Sequence, residues 1–356
     1  MDRQTPTLSD VARRAGVSYA TADRVINNRG GVAEKSVRRV RAAIEDLGYV
    51  RNVAAANLAQ KRTYRFAFVI PEGPNSFFQR LRNILETARP EMLVSRVALM
   101  VESVAAFDAA ALVGCLERLA EDKGDGVALV GTDDARVCAA IDALRAQGMA
   151  VLTLVADVQG ARPDGYVGID NTIAGRTAGR LLLLAHGDRG GRVLPIVGVA
   201  TAHDHAERLA GMQDTLAEAG GRVTSAPLIE GRDRHDIVEA ELHRRLAEDP
   251  EITAIYSAGA GNAGLVRVLA RRAEGRPIVV LHELVAHSRQ ALESGLVDVV
   301  IDQRPEDEIQ TALECLRAMA DRRDLAAPAP IVPAIYLREN LPPAAVASQI
   351  GDPVHE

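Results

Sequence analysis

From Tyr64 onward the chain alternates short apolar runs of β type with stretches of helical period, and this alternation limits the possible folds more than any other feature. The runs are 65–70, 94–101, 126–131, 150–157, 166–170, 192–198, 253–258, 277–283 and 297–302. Helix-period segments lie at 107–122, 134–147, 172–186, 205–219, 234–248, 262–273, 285–294 and 305–320. Strands that regularly alternate with helices predict βαβ units and parallel sheets. Two sheets of about five strands each fit this length better than one sheet of nine or ten. A Pro-rich tail from Ala326 holds one further candidate strand, 331–337, and no sustained Leu heptad that could bundle subunits.

The first 60 residues have a different texture, with short helical patterns broken by turns. Their charge differs as well: residues 1–62 hold 12 Lys and Arg against 6 Asp and Glu, a net of +6, while the remainder holds 30 against 42, a net of −12. A basic head on an acidic body predicts that the head alone meets a polyanion. The polar start and the lack of any apolar run near the roughly 20 residues of a bilayer span predict a cytoplasmic protein without a membrane partner.

Within the head, Thr7-Leu8-Ser9-Asp10 reads as a capping box opening a helix at about 8–15. Gly16 supplies a sharp turn, and Ser18 caps a second helix, about 18–26, whose exposed face carries Tyr19, Ala20, Asp23 and Arg24. A third helix, about 34–46, has Val37, Val40, Ile44 and Leu47 at core spacing, and Gly48 stops it. Two short helices around a Gly-containing turn form a helix-turn-helix, with the second helix offered to the major groove.

The stretch from Thr7 to Ala59 resembles, almost residue for residue, the N-terminal region of the lactose-repressor (LacI/GalR) family of bacterial regulators. The resemblance implies that Tyr19, Ala20 and Arg24 face bases while Thr21 and neighbouring polar groups anchor phosphates. With these, Thr7, Ser18, Asp23, Asn27, Asn52 and Ala55 complete the expected DNA-binding set. Arg can grip guanine bidentately and Ala can touch a thymine methyl, so the chemistry agrees. Asn52 to Leu58 is similar to the family's hinge helix, in which a Leu at the position of Leu58 wedges into the minor groove and kinks the duplex. Three positions depart from the pattern: Asp23 stands where Ser is usual, Ala33 where a Ser cap is usual, and Arg51 where Pro is usual.

Over about 65–325 the chain resembles, more loosely, the two-lobed periplasmic sugar-binding fold of the ribose type. The expected protein is therefore α/β, with an all-α helix-turn-helix headpiece at 1–50 and a hinge and linker at 51–63. A body of two parallel, Rossmann-like α/β subdomains fills 64–340, and 341–356 form a tail. The resemblance assigns about 64–170 and 303–328 to one lobe and about 171–302 and 329–340 to the other. It implies an allosteric repressor that acts as a homodimer on a pseudo-palindromic operator and responds to a small sugar or polyol.

Open parallel sheets bind ligands at the carboxyl ends of their strands. That rule selects Asn75, Phe77, Phe78, Asp133, Asp134, Asp157, Asp170, Asn171, His203, His205, Arg208, Asn262, His282, Glu283 and Gln303. Acids and amides accept from hydroxyls, Arg donates two ways, and Phe covers the C–H face of a sugar ring. By resemblance the expected effector contacts are Asn75, Phe77, Phe78, Asp157, Arg208, Asn262, Glu283 and Gln303, whereas Asp170 and Asn171 suit caps of the helix at 172–186.

One motif favours a rival. Gly259-Ala260-Gly261-Asn262-Ala263-Gly264 is a G-x-G-x-x-G between a strand and a helix, and Glu283 ends the next strand about 20 residues on, which together suggest a nicotinamide dinucleotide and a redox-sensing regulator. A dinucleotide site normally opens its domain, and this unit lies late in the chain, so the two-lobed reading is preferred. No nucleophile with its base, catalytic acid pair or metal cluster stands out, so neither enzyme activity nor a cofactor is expected. His203 and His205 flank Asp204 without an evident third ligand, and Cys115, Cys138 and Cys315 read as buried thiols.

Overall fold

A computed structural model of the chain describes residues 6–26, 30–49, 62–259, 261–272, 275–323 and 328–343. The sequence readings at Asn27, Asn52, Ala55 and Leu58 lie outside the described residues. The chain divides into two compact units, Met1–Arg62 and Thr63–Glu356.

The first unit holds α1 (Leu8–Ala15), α2 (Tyr19–Ile26) and α3 (Glu34–Leu47). The capping box forms as the sequence predicts: the Asp10 amide donates to Thr7 Oγ1 at 3.3 Å and the Thr7 amide donates to Asp10 Oδ2 at 2.9 Å. Gly16 takes the left-handed conformation at φ 62° that ends α1, and Arg39 Nη2 donates to its carbonyl at 3.2 Å. The Thr21 amide donates to Ser18 Oγ at 3.1 Å, which fixes the start of α2. A small core of Val11, Ala12, Ala15, Ala22, Val40 and Ala43 joins the three helices.

The second unit contains two sheets. One has the order β2-β1-β3-β4-β5, built from β1 (Tyr64–Glu72), β2 (Val97–Ala105), β3 (Gly126–Leu129), β4 (Ala150–Leu154) and β5 (Gly165–Val167), all parallel. The helices α4 (Ser76–Val94) and α12 (Pro305–Ala320) cover one face, and α5 (Ala109–Asp122) and α6 (Ala135–Ala146) cover the other. The other sheet has the order β12-β11-β10-β9-β6-β7. Its strands are β6 (Gly191–Val197), β7 (Val223–Ser225), β9 (Ile252–Ser257), β10 (Ile278–His282), β11 (Val299–Asp302) and the antiparallel edge strand β12 (Ala334–Tyr336), with β8 (Ile229–Glu230) pairing β6 beyond β7. α7 (Asn171–His186) and α8 (His203–Glu218) pack on one face of it, and α9 (His235–Glu248), α10 (Asn262–Ala270) and α11 (Ala286–Glu293) on the other. The chain changes sheets after β5, after β11 and again before β12, so three crossovers join the lobes.

Four elements differ from the sequence reading. The segment 76–94 is a 19-residue helix that the periodicity did not reveal, because Pro90 interrupts it and Leu93 and Val94 are exposed, which blurs the apolar stripe. For the same reason β2 begins at Val97 and not at Val94. The strands β7 and β8 are three and two residues long, too short for a period-2 signal. Among the described residues, no helix is long and apolar enough to cross a membrane.

Candidate effector site and nucleic-acid interface

In the first sheet the chain leaves β1 toward β2 and then returns past it to β3; in the second, β6 sends its crossovers to β7 on one side and β9 on the other. Loops that diverge at such switch points leave a crevice at the carboxyl ends. The two crevices face each other across a cleft of about 570 Å³, within the usual range for a small-molecule site. The loop after β1 brings Asn75, Phe77 and Phe78, the loop after β3 brings Asp133 and Asp134, and α8 brings His203, His205 and Arg208.

Arg208 is held from two sides. It is 1% exposed; its Nε donates to Asn171 Oδ1 at 2.8 Å, and its Nη1 donates to the Ala258 carbonyl at 2.8 Å and lies 3.9 Å from Glu283 Oε1. Its Nη2 is buried without a partner, and the residue lines the cleft. Glycines set this position. A Cβ at Gly175 would collide with the Arg208 carbonyl, and one at Gly211 with the Thr172 carbonyl, so α7 and α8 approach closely only because both positions lack side chains. Asn171, which the sequence suits to a cap, is instead the acceptor that orients Arg208, while Asp170 caps α7 by accepting from the Ile173 amide at 2.8 Å.

Around this guanidinium lie other buried groups with unused bonding capacity: Glu283 Oε2, Asp233 Oδ1 and His205 Nδ1. His205 fits against Gly198 and Gly259, at either of which a Cβ would crowd its ring. Several side-chain links among the described residues span the lobes. Asn75 Nδ2 donates to Asp233 Oδ2 at 3.1 Å, His203 Nδ1 lies 3.5 Å from Asp133, and Arg80 Nη1 donates to the Leu284 carbonyl and Asp302 Oδ2, each at 2.9 Å. Val155, Asp233 and Glu283, all lining the cleft, hold left-handed backbone at φ 66°, 58° and 75°. Such strain costs about 1–3 kcal/mol per residue and concentrates at functional sites.

Burial, with Asp302 nearby, pushes the Glu283 carboxyl up to about 8 against the opposing pull of Arg208 and Gln303. Glu308, fully buried on α12 with both oxygens unpartnered, is also raised well above the usual carboxylate range, by burial first and then by Glu283. A carboxyl whose folded pKa is raised contributes stability below its unfolded pKa and loses it as pH climbs through the folded value. The melting temperature should therefore fall between about pH 5 and about pH 9, and Glu283→Gln should flatten that fall. A melting series across this range checks it; an equally steep fall in the variant contradicts the assignment.

Three expected contacts are corrected. Asp157, Asn262 and Gln303 do not line the cleft. Asp157 Oδ1 accepts from Thr153 Oγ1 at 2.7 Å and from the Val158 amide at 2.8 Å, which shapes its own loop. Asn262 accepts from Ser257 Oγ at 2.6 Å and donates to the His282 carbonyl at 3.0 Å, tying the ends of β9 and β10 together. Gln303 donates to Glu283 Oε1 at 2.6 Å and so acts behind the lining. The sequence missed Asp233, Arg80 and Phe107. Asp233 follows the two-residue β8, Arg80 sits on the missed helix α4, and Phe107 follows a strand that ends four residues beyond its expected end.

The dinucleotide motif is also corrected. Gly259 makes room for His205 and Arg208, Gly261 is left-handed at φ 71° against Val238, and a Cβ at Gly264 would strike the His235 carbonyl. Contacts inside the protein account for these three glycines. Among the described residues, no group of three or more His, Cys, Asp or Glu could hold a metal ion.

In the headpiece Ser18, Tyr19, Ala20 and Arg24 are exposed, with Tyr19 at 58%, while Thr21 and Asp23 are half-buried. Asp23 thus belongs less to the open face than the sequence suggests. The exposed residues of α2 are Tyr19, Ala20 and Arg24.

A helix-turn-helix unit beside a two-lobed, cleft-bearing α/β body defines a class of protein: DNA-binding regulators with a ligand-binding body. The pattern of bacterial regulatory proteins of the lacI family matches residues 7–52, and that of a periplasmic binding protein domain matches residues 66–324. The transcriptional regulator DegA of Bacillus subtilis is 27% identical over 228 residues, which cover 64% of this chain and 65% of DegA, just under two thirds of its length. CelR of Thermobifida fusca is 29% identical over 301 residues, 78% of this chain and 80% of CelR. In fold, the body is similar to GanP, a glucose-galactose binding protein from Geobacillus stearothermophilus, with a TM-score of 0.71 at 20% identity, covering 79% of this chain and 99% of GanP. The chain belongs to the lacI family of transcriptional regulators and carries a periplasmic-binding-protein-like body.

Proposed function

We propose that the chain is a cytoplasmic repressor that binds a pseudo-palindromic operator as a homodimer and changes its operator affinity when a small sugar or polyol occupies the cleft between the lobes. The observation that carries this reading is the set of four buried polar atoms without partners, on Arg208, Glu283, Asp233 and His205, all within one cleft spanned by links from both lobes. Buried polar groups are normally hydrogen-bonded, so a cluster that is not is built to receive hydroxyls. The names of relatives and of similar folds, among them a glucose-galactose binding protein and a solute-binding protein in complex with D-arabinose, support the same class of ligand. A ligand that bonds both lobes biases their relative angle, and the coupling is as large as its differential affinity for the two arrangements, typically about 1–3 kcal/mol. A thermal-shift screen with pentoses, hexoses and polyols tests the reading: stabilisation is expected, and a chain that responds to none of them contradicts it.

On the DNA side, Arg24→Ala should weaken specific binding by about 1–3 kcal/mol and relax the choice of base at one position in each half-site. Competition against duplexes varied at each position reads this, and an equal loss for every sequence would make Arg24 a phosphate contact. By resemblance Leu58 is the minor-groove wedge, so Leu58→Ala should reduce DNA bending and leave the melting curve in place. Unchanged bending would remove it from that role. Light scattering should give a dimer, since the tail lacks heptads; a stable tetramer counts against this.

A further inference from the structure

We propose that the ligand of this cleft carries a protonated amine among its hydroxyls, as an amino sugar or amino polyol does, and is not a sugar phosphate or sugar acid. The proposal rests on the reading of the cleft as an effector site. Among the described residues, six carboxylates line the cleft: Asp108, Asp133, Asp134, Asp204, Asp233 and Glu283. Two guanidiniums line it too, and both already make hydrogen bonds inside the protein. Arg136 is spent on Asp134 at 2.7 Å, and Arg208 on Asn171 and the Ala258 carbonyl. Asp108 and Asp134 cap helices near the rim, and Asp133 accepts from the Gln159 amide at 2.7 Å and faces His203.

The deep part is different. Asp204, Asp233 and Glu283 are buried there around one guanidinium and the His205 ring, and two of these acids, Asp233 and Glu283, keep one oxygen each without a partner. An anion entering this space meets three carboxyl groups against one guanidinium, whose Nη2 is free to donate, and the His205 ring. A hydroxyl supplies an acceptor for that nitrogen and a donor for one acid. An ammonium supplies three donors and the positive charge that the buried acids lack. The raised carboxyls of Glu283 and Asp233 fit this arrangement. Asp302, Glu308, Arg208, Arg80 and Gln303 surround the first, and His205, His235, Asp204 and Asn75 the second; a cation beside either would favour its ionised form, so the amine should bind with proton release.

Calorimetry on the full chain with matched sets tests this: D-glucose, D-glucosamine and D-glucose 6-phosphate; D-galactose, D-galactosamine and D-galacturonate; sorbitol, 1-amino-1-deoxysorbitol and gluconate. On the skeleton that fits, the amine should bind about tenfold or more tighter than the neutral member, a gain of about 1.4 kcal/mol or more, and the anion more weakly than both. Asp233→Asn, whose amide oxygen can still accept from Asn75, should remove the amine's advantage, read as the ratio of the amine's affinity to the neutral member's in the same variant. If the amine shows no gain, or the anion binds as tightly, the proposal falls while the effector reading stands on neutral-sugar binding that Arg208→Ala abolishes. If no member of any set binds, both fall.

Discussion

Replacing Arg208 by Ala is expected to abolish the response of DNA binding to any ligand of the cleft, with about a hundredfold loss of ligand affinity, and to lower the melting temperature of the body. The two effects share one origin. The guanidinium is 1% exposed and holds Asn171 and the Ala258 carbonyl by two 2.8 Å bonds while facing Glu283 at 3.9 Å. Its removal leaves Asn171 Oδ1 without that donor and Glu283 without its nearest cation. Leaving a buried acceptor without its donor costs about 1–3 kcal/mol, and losing one charged contact to a ligand about 2–5 kcal/mol. The headpiece is a separate compact unit with its own core, so nonspecific affinity for DNA should survive. Arg208→Lys keeps the charge but cannot donate in two directions from one fork, and it should restore part of the stability and little of the ligand binding. A melting curve beside ligand titrations of operator binding reads each part. A variant that answers ligand as the parent does removes Arg208 from the site.

The second large effect inverts a common rule. Exchanging Gly for Ala inside a helix ordinarily stabilises by about 0.5–1 kcal/mol. At Gly175, inside α7, the same exchange is expected to destabilise by about 1–3 kcal/mol, because the new methyl group meets the Arg208 carbonyl across the α7–α8 contact. Ligand affinity should fall with stability, since the helix forced aside carries Arg208. Gly211→Ala, which presses on Thr172 from the opposite helix, should act likewise. Thermal melts of both variants decide the sign, and a raised melting temperature in either would show that the crossing is looser than described.

Much of this molecule was legible in the sequence because periodicity and capping are local. The capping box at Thr7 and Asp10, the turn at Gly16 and the alternation from Tyr64 to Asp302 depend on neighbours a few residues apart, and they appear as read except at the helix 76–94, the start of β2 and the short strands β7 and β8. The rule that ligands sit at strand ends placed Asn75, Phe77, Phe78, Arg208 and Glu283 in the cleft. It failed at Asp157 and Asn262 because it cannot tell a side chain that points into the crevice from one that bonds its own loop. Asp233 and Arg80 were hidden for another reason: one follows a strand of two residues and the other lies on a helix broken in pattern by Pro90. The glycines from Gly259 to Gly264 carried a false signal, since close packing against His205, Val238 and the α9 backbone demands the same residues as a phosphate-binding turn.

The central claim is that the headpiece reads DNA and the cleft controls that reading. Its most direct test starts with duplexes selected by the full chain from a randomised pool, whose binding is then measured by fluorescence anisotropy while the sugar or polyol that most raises the melting temperature is titrated in. The account predicts enrichment of a two-fold symmetric site and a shift in its affinity of about fivefold to about 150-fold, the range of typical coupling energies. Enrichment of no site, or a site whose affinity is indifferent to a ligand that demonstrably occupies the cleft, would contradict it.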